Sequence, residues 1–364
     1  MFYSAIGIMS GSSLDGLDIV FAEFDERGGE WNYQIKVSAC YEYENEWLQA
    51  LKNATTLNAY NYLLLHSAYG KYIGQKINQF IEKFSLHHQV QLIASHGHTT
   101  FHAPHLGMTA QLGDGAAIAA ATGINVVSDL RALDVALGGQ GAPIVPIGEK
   151  LLWNKFDFYL NLGGIANLTN NQPTGYIAFD ICPANRVLNL LTAQIGKAYD
   201  AGGAIASSGK IHTGLLTRLN ALDYYKENFP KSLSNNFGMD IVYPLILSFN
   251  LPIEDALRTY TEHISLQLGY AINQISRPSA KIRQLLLTGG GAHNSFLVER
   301  IKHTLKSYQI QTVVPEAQLI DYKEALIMAL LGVLRWREEN TVLRSVTGAS
   351  RSSIGGAVWM GQEA

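Results

Sequence analysis

Residues 5–24 read Ala-Ile-Gly-Ile-Met-Ser-Gly-Ser-Ser-Leu-Asp-Gly-Leu-Asp-Ile-Val-Phe-Ala-Glu-Phe, and the fold follows from how this stretch is parsed. The apolar run Ala5–Met9 reads as a strand, Ser10–Gly16 as a turn and Leu17–Phe24 as the returning strand, a hairpin with glycine at the bend. The later half repeats it. Phe158–Leu162 reads as a strand, Gly163–Asn167 (GGIAN) as a glycine turn, and a further strand ends at Ile177–Asp180. The recurrence hints at internal duplication.

Working outward, Leu65, Tyr69, Ile73, Ile77, Phe80 and Phe84 recur at amphipathic-helix spacing within Leu63–Phe84. Val90–Ser95 reads as a short buried strand followed by a polar loop, HGHTTFHAPH, at 96–105. Gly115–Thr122 is a small-residue helix and Asn125–Ser128 another strand. The Gly- and Pro-rich ALGGQGAPIVP at 136–146 suits a crossing between domains. Beyond it, Leu257, Tyr260, Ile264 and Leu268 share a helical face. Gln284–Thr288 is a strand running into GGGAHN, Ser295–Leu305 is the helix after it, and Asp321–Trp336 is a final long helix. Strands alternating with helices predict an α/β fold with mixed sheets. The expected domains are 1–140 and 141–364, with the C-terminal segment able to pack back on the first.

Composition narrows the function. The 364 residues suit about two domains. With 47% hydrophobic and 16% charged residues, the chain can bury a large core, which excludes disorder. The net charge is −3 and no basic block tracks a phosphate backbone, so nucleic acid is excluded as main partner. Two cysteines, Cys40 and Cys182, make neither a disulfide framework nor a four-cysteine zinc site. No apolar stretch approaches the ~18 residues of a membrane span, and the N-terminus lacks a secretory pattern. A soluble cytoplasmic protein is expected, for which the sequons at Asn53 and Asn167 carry no meaning.

There is no GxxxxGK[ST], no GxGxxG opening a βαβ unit, no HExxH and no GxSxG. The glycine turns are the candidates that remain. In Gly11-Ser12-Ser13-Leu14-Asp15-Gly16-Leu17-Asp18, N–H and O–H donors suit an anion, while Asp15 and Asp18 suit Mg²⁺. The same pattern also reads as a polar hairpin turn with Asp15-Gly16 at its corner. Gly163-Gly164 offers a second phosphate turn or a plain β-turn. Gly289-Gly290-Gly291 lets backbone lie against a planar ligand.

Among side chains, Asp180 ends an apolar strand as a general base or as an N-cap for the helix from Asn185. His96, His98, His102 and His105 lack neighbouring carboxylate or thiolate ligands, so substrate hydrogen bonding is favoured over a metal. Arg131 suits a carboxylate clamp or a surface ion pair. Glu324 completes a D-x-x-E capping box with Asp321, or directs a first-turn carboxylate at a metal-bound phosphate. Cys182, beside Asp180, is a candidate for oxidation.

Together and in order, GIMSGSSLDGLD, SHGHTTFH, QLGDGAAIAAATGINVVSDLR, ALGGQGAPIVP, NLGGIANLT, FDICPAN, TGGGAHN, KEALIMALL and SVTGAS resemble the 1,6-anhydro-N-acetylmuramic acid kinases. That family belongs to the superfamily of actin, sugar kinases and heat-shock ATPases. The resemblance covers essentially the whole chain. It implies a two-domain actin-like (ribonuclease H-like) ATPase fold with an interdomain cleft, taking ATP and Mg²⁺. It further implies an anhydro-sugar substrate opened by water and phosphorylated to N-acetylmuramic acid 6-phosphate, in cell-wall recycling. Gly11–Asp18, Gly163 and Gly164 would hold the phosphates, and Gly289–Gly291 would lie by adenosine. Asp180 matches the base, Arg131, His96 and His98 match sugar-side positions, and Glu324 and Asp15 match carboxylates near Mg²⁺. A homodimer is compatible with the resemblance.

The family's usual D-T-G-P-G-N is here Asp180-Ile181-Cys182-Pro183-Ala184-Asn185. That departure leaves two alternatives: a kinase of the same superfamily for another sugar, or a nucleotide-binding regulator without transfer.

Overall fold

A computed structural model describes residues 1–11, 14–172, 175–229, 231–234, 236–275 and 281–362. The strands among them are β1 Phe2–Ser10, β2 Leu17–Arg27, β3 Glu30–Tyr41, β4 Leu92–Ala103, β5 Met108–Leu112, β6 Val126–Ser128, β7 Phe158–Leu162, β8 Ile165–Gln172, β9 Gly175–Pro183, β10 Arg283–Thr288, β11 Ile310–Val313 and β12 Ala357–Trp359. One sheet runs β12-β6-β4-β1-β2-β3, with β5 paired to β4, and the other runs β11-β10-β7-β8-β9.

The two sheets repeat one design. In the first, β1, β2 and β3 form an antiparallel meander, and β1 is parallel to β4, which is parallel to β6. In the second, β7, β8 and β9 form the meander, and β7 is parallel to β10, which is parallel to β11. The duplication suggested by the two hairpins therefore extends over five strands each. The α/β fold with mixed sheets is as expected.

The chain divides into two compact units, Met1–Trp153 with Tyr322–Ala364, and Asn154–Asp321. The core of the first packs Ile6, Ile8, Ile19 and Phe21 of the sheet against Tyr69, Ile73, Ile77 and Phe80 of the helix Ala59–Lys83. On β1, the helix Ala317–Trp336 approaches so closely that a Cβ on Gly7 would lie 1.9 Å from the Ala325 carbonyl oxygen. The core of the second unit gathers Leu160, Leu168, Leu285 and Leu287 with Leu257, Tyr260, Ile264 and Leu268. In β10 three successive leucines are buried, the continuous apolar run of a strand covered on both faces. Among the described residues no helix is long and apolar enough to cross a membrane.

Two local expectations are corrected. The stretch HGHTTFHAPH is not a loop through its first eight residues, because β4 continues to Ala103. Its His and Thr side chains look like a loop, yet β5 supplies the backbone partners, pairing His98 with Leu112 and His102 with Thr109. The final helix begins at Ala317, not Asp321, so Asp321 and Glu324 form no capping box. Asp321 instead meets His293 Nε2 at 2.5 Å, and Glu324 lies two turns inside the helix, not in its first turn.

Candidate functional site

In the unit Asn154–Asp321, two glycine turns far apart in sequence pack on each other. Gly289 has φ +81°, and a Cβ there would lie 2.3 Å from Asn161 Oδ1 and 2.9 Å from the Leu162 nitrogen. A Cβ on Gly291 would lie 2.7 Å from Leu162 Cβ. Only glycine fits this approach, in one case for conformation and in both for space. Asn185 ties the turns to the helix Asn185–Ala193, donating from Nδ2 to the Leu162 carbonyl at 2.9 Å. The structure thus brings together Gly163, Gly164, Gly289, Gly290 and Gly291. Asn185 is an addition that the sequence reading assigned no role.

Asp180 lies on β9 opposite Asn167 of β8, where the register skips Ile181. This one-residue bulge re-aims side chains, as bulges beside functional sites do. Asn167 Nδ2 donates to Asp180 Oδ1, and the Leu233 N–H donates to Oδ2 at 2.7 Å. The backbone around Asp180 is also held. Its N–H donates to the Lys231 carbonyl at 3.0 Å, and its carbonyl accepts from the Tyr224 hydroxyl at 2.7 Å. Burial pushes the carboxyl above the ordinary carboxylate range, while the Leu233 and Asn167 donors pull it back. A half-buried carboxylate with both oxygens oriented is suited to accept a proton. Asp180 is not an N-cap, since Ala184 occupies that position.

The motif departures face inward. Ile181, Cys182 and Ala184 are 3%, 0% and 0% exposed and belong to the core of this unit. Cys182 is no ready target for oxidation, because burial pushes its thiol pKa up and the Asp180 charge adds to that.

In the other unit the stretch Gly11–Asp18 joins β1 to β2. Ser12 and Ser13 lie outside the described residues. Asp15-Gly16 is not the corner of a tight turn: the hairpin closes at Ser10–Leu17, and the left-handed residue is Leu14, φ 58°. Gly16 is required by packing, since a Cβ would lie 2.4 Å from Cys40 Sγ. A bulky residue held left-handed, as Leu14 is, stores strain of the kind found at ligand-binding loops. Asp15 is exposed and Asp18 half-buried.

A buried hydroxyl chain stands under this loop. Ser10 Oγ meets His98 Nδ1 at 3.1 Å and the Tyr43 hydroxyl at 2.7 Å, and Tyr43 meets the Tyr69 hydroxyl at 2.6 Å. His98 therefore ties β4 to the root of the loop. His96, 7% exposed, donates from Nδ1 to the Gly97 carbonyl at 2.9 Å. Desolvation, with the charge of Arg131, pulls its pKa down to about 3. The ring is neutral at working pH and Nε2 carries a lone pair that can accept a hydroxyl hydrogen bond.

Among the described residues Arg131 makes no surface ion pair. Nε donates to the Gly141 carbonyl at 2.6 Å and Nη1 to Thr99 Oγ1 at 3.0 Å. Burial lowers its pKa to about 10 against the fields of Glu324 and Asp134, and it remains a cation. The Gly- and Pro-rich stretch lies within this unit and wraps Asp134, whose Oδ2 accepts from the Gly141 N–H at 2.8 Å. The glycines thus set the carbonyl that aims Arg131. His96, Arg131 and Glu324 are electrostatic neighbours in one unit. Among the described residues no group of three or more His, Cys, Asp or Glu could hold a metal.

The model of the family described as anhydro-N-acetylmuramic acid kinase matches residues 3–361. A protein of that name from Photobacterium profundum is 34% identical over 374 residues, covering 97% of this chain and 98% of the relative. One from Vibrio parahaemolyticus is 31% identical over 96% of each chain. Another from Bacillus cereus is 30% identical over 97% of this chain and 98% of the relative.

Proposed function

The chain belongs to the anhydro-N-acetylmuramic acid kinase family, and from that premise we propose how its residues divide the reaction. It is a sugar kinase that acts on a small molecule and uses ATP. We propose that Asp180 is the base that takes a proton from water as the water attacks the anomeric carbon of 1,6-anhydro-N-acetylmuramic acid. The bond from that carbon to O6 then breaks, and O6 takes the γ-phosphoryl group. N-acetylmuramic acid 6-phosphate and ADP are the products, and this serves cell-wall recycling. The observation that carries the assignment is the carboxylate of Asp180, half-buried and oriented through both oxygens by Asn167 and Leu233.

The remaining roles divide by unit. In the second, Gly163 and Gly164 take phosphate oxygens and Gly289, Gly290 and Gly291 lie against adenosine. In the first, Gly11–Asp18 takes phosphate, and Arg131 with His96 Nε2 holds the sugar. His98 acts on the loop through Ser10. Mg²⁺ keeps several waters and accepts one or two carboxylates beside substrate phosphates, so a carboxylate such as Asp15 or Glu324 fits it without a three-ligand cage. When bound it neutralises phosphate charge.

The test is Asp180→Asn. The Asn167 amide can turn to accept from the new amide, which preserves the local bonds. ATP binding is expected to persist while turnover falls roughly 10²–10⁴-fold. Turnover near the wild-type rate would remove Asp180 from the mechanism.

A further inference from the structure

Beside the Gly163-Gly164 turn stands a cation without a counterion among the described residues. Arg186 is the second residue of the helix Asn185–Ala193, whose first turn carries no acidic side chain. Its Nε and Nη2 lie 3.6 and 3.8 Å from the point where Gly164 would carry a Cβ. Among the described residues its guanidinium makes no hydrogen bond and no ion pair. A positive charge in the first turn of a helix opposes the helix dipole, an unfavourable placement unless something anionic sits there.

The turn itself adds donors. The Gly164 carbonyl accepts from the Ala184 N–H at 2.8 Å, and the Gly163 carbonyl accepts from the Asn185 N–H at 3.1 Å, so the first amides of the helix are consumed. The N–H groups of Gly163 and Gly164 are not, since neither donates to any described residue. Gly164 is exposed and Gly163 and Arg186 half-buried, so a ligand can reach all three. Two amide donors and a neighbouring guanidinium match the several acceptor oxygens of a phosphoryl group better than the two of a carboxylate.

We propose that Arg186 is a phosphate-binding residue for the nucleotide, acting with the Gly163 and Gly164 amides. The inference rests on the reading of these turns as the nucleotide's place. It adds to them a charged residue that the glycine pattern alone does not supply. The guanidinium neutralises polyphosphate charge, and the anion in turn relieves the unfavourable position of the arginine on its helix.

The experiment titrates ATP and adenosine into wild-type protein, Arg186→Gln and Arg186→Lys, and measures KM for ATP and for the anhydro sugar. Losing a charge-assisted hydrogen bond predicts that Arg186→Gln binds ATP about 10- to 100-fold more weakly. Adenosine binding and KM for the sugar stay at wild-type values, and Arg186→Lys recovers part of the loss. Without ligand, Arg186→Gln melts no lower than wild type. Unchanged ATP affinity overturns the proposal, as does an equal loss for adenosine or a lowered melting temperature. A rise in KM confined to the sugar also overturns it, pointing to the sugar's carboxylate. Wild-type protein that neither binds ATP nor forms product would refute the functional reading itself; normal wild-type behaviour with an indifferent Arg186→Gln refutes this inference alone.

Discussion

Replacing Asn167 with leucine removes one of the two donors to the Asp180 carboxylate while leaving the other and the β8–β9 ladder in place. A hydrogen bond to a charged group contributes about 1.5–3 kcal/mol, and this one is only partly buried, so the lower end applies. At 1.36 kcal/mol per tenfold change, the ionised base is disfavoured roughly tenfold more than in wild type. Burial already holds the Asp180 carboxyl above the ordinary range, and the Asn167 donor opposes that push. Without the donor, activity rises with pH as before, but its acid limb sits about one pH unit higher. Desolvation lowers the pKa values of both His96 and His98. The assay is kcat/KM for the sugar against pH, with Asn167→Asp avoided because it adds a like charge. At the alkaline plateau Asn167→Leu should approach the wild-type rate. An unmoved acid limb, or a uniform loss at every pH, would refute the claim that Asn167 acts by supporting the ionised base.

Arg131→Met is expected to raise KM for the sugar about 10- to 100-fold with KM for ATP unchanged, since its guanidinium is aimed by Thr99 and Gly141; a change confined to ATP would contradict its sugar-side role. Gly289→Ala places a Cβ 2.3 Å from Asn161 Oδ1 at φ +81°, so nucleotide affinity should fall at least tenfold, and titration with normal affinity would count against the packed turns. Lys323→Met breaks the buried pair with Glu149, 2.6 Å apart and 4% and 3% exposed, leaving a charge without its ion-pair partner. It should cost about 3–5 kcal/mol, read as a lower midpoint in denaturant unfolding.

The fold was legible where strand, glycine and strand follow each other locally. Both hairpins, the helix Ala59–Lys83 and the run into Gly289–Gly291 carry their signal within local stretches of the chain. Misreadings arose where polar residue types hid an element that continues through them. Polar His and Thr residues make 96–103 look like a loop until β5 supplies hydrogen bonds, and Asp321 resembles a cap until the helix is seen to begin four residues earlier. For the site, Asp180 drew attention as a carboxylate after an apolar run, although β9 does not end there but continues to Pro183. Asn167 did not, because its relation to Asp180 depends on the β8–β9 register and the bulge at Ile181. Leu233 is farther still: its backbone N–H reaches a carboxylate 53 residues away and leaves no trace in residue type. The side chains of Ile181, Cys182 and Ala184, where the motif departs from the family's usual pattern, are buried in the core of their unit.

The most direct test of the account is the mass of the sugar product after incubation with Mg·ATP and 1,6-anhydro-N-acetylmuramic acid. The account predicts a gain of one phosphoryl group and one water, with ADP formed in equal amount, and loss of that product in Asp180→Asn. A gain of phosphate without water, or ADP formation with no phosphorylated sugar, would contradict it.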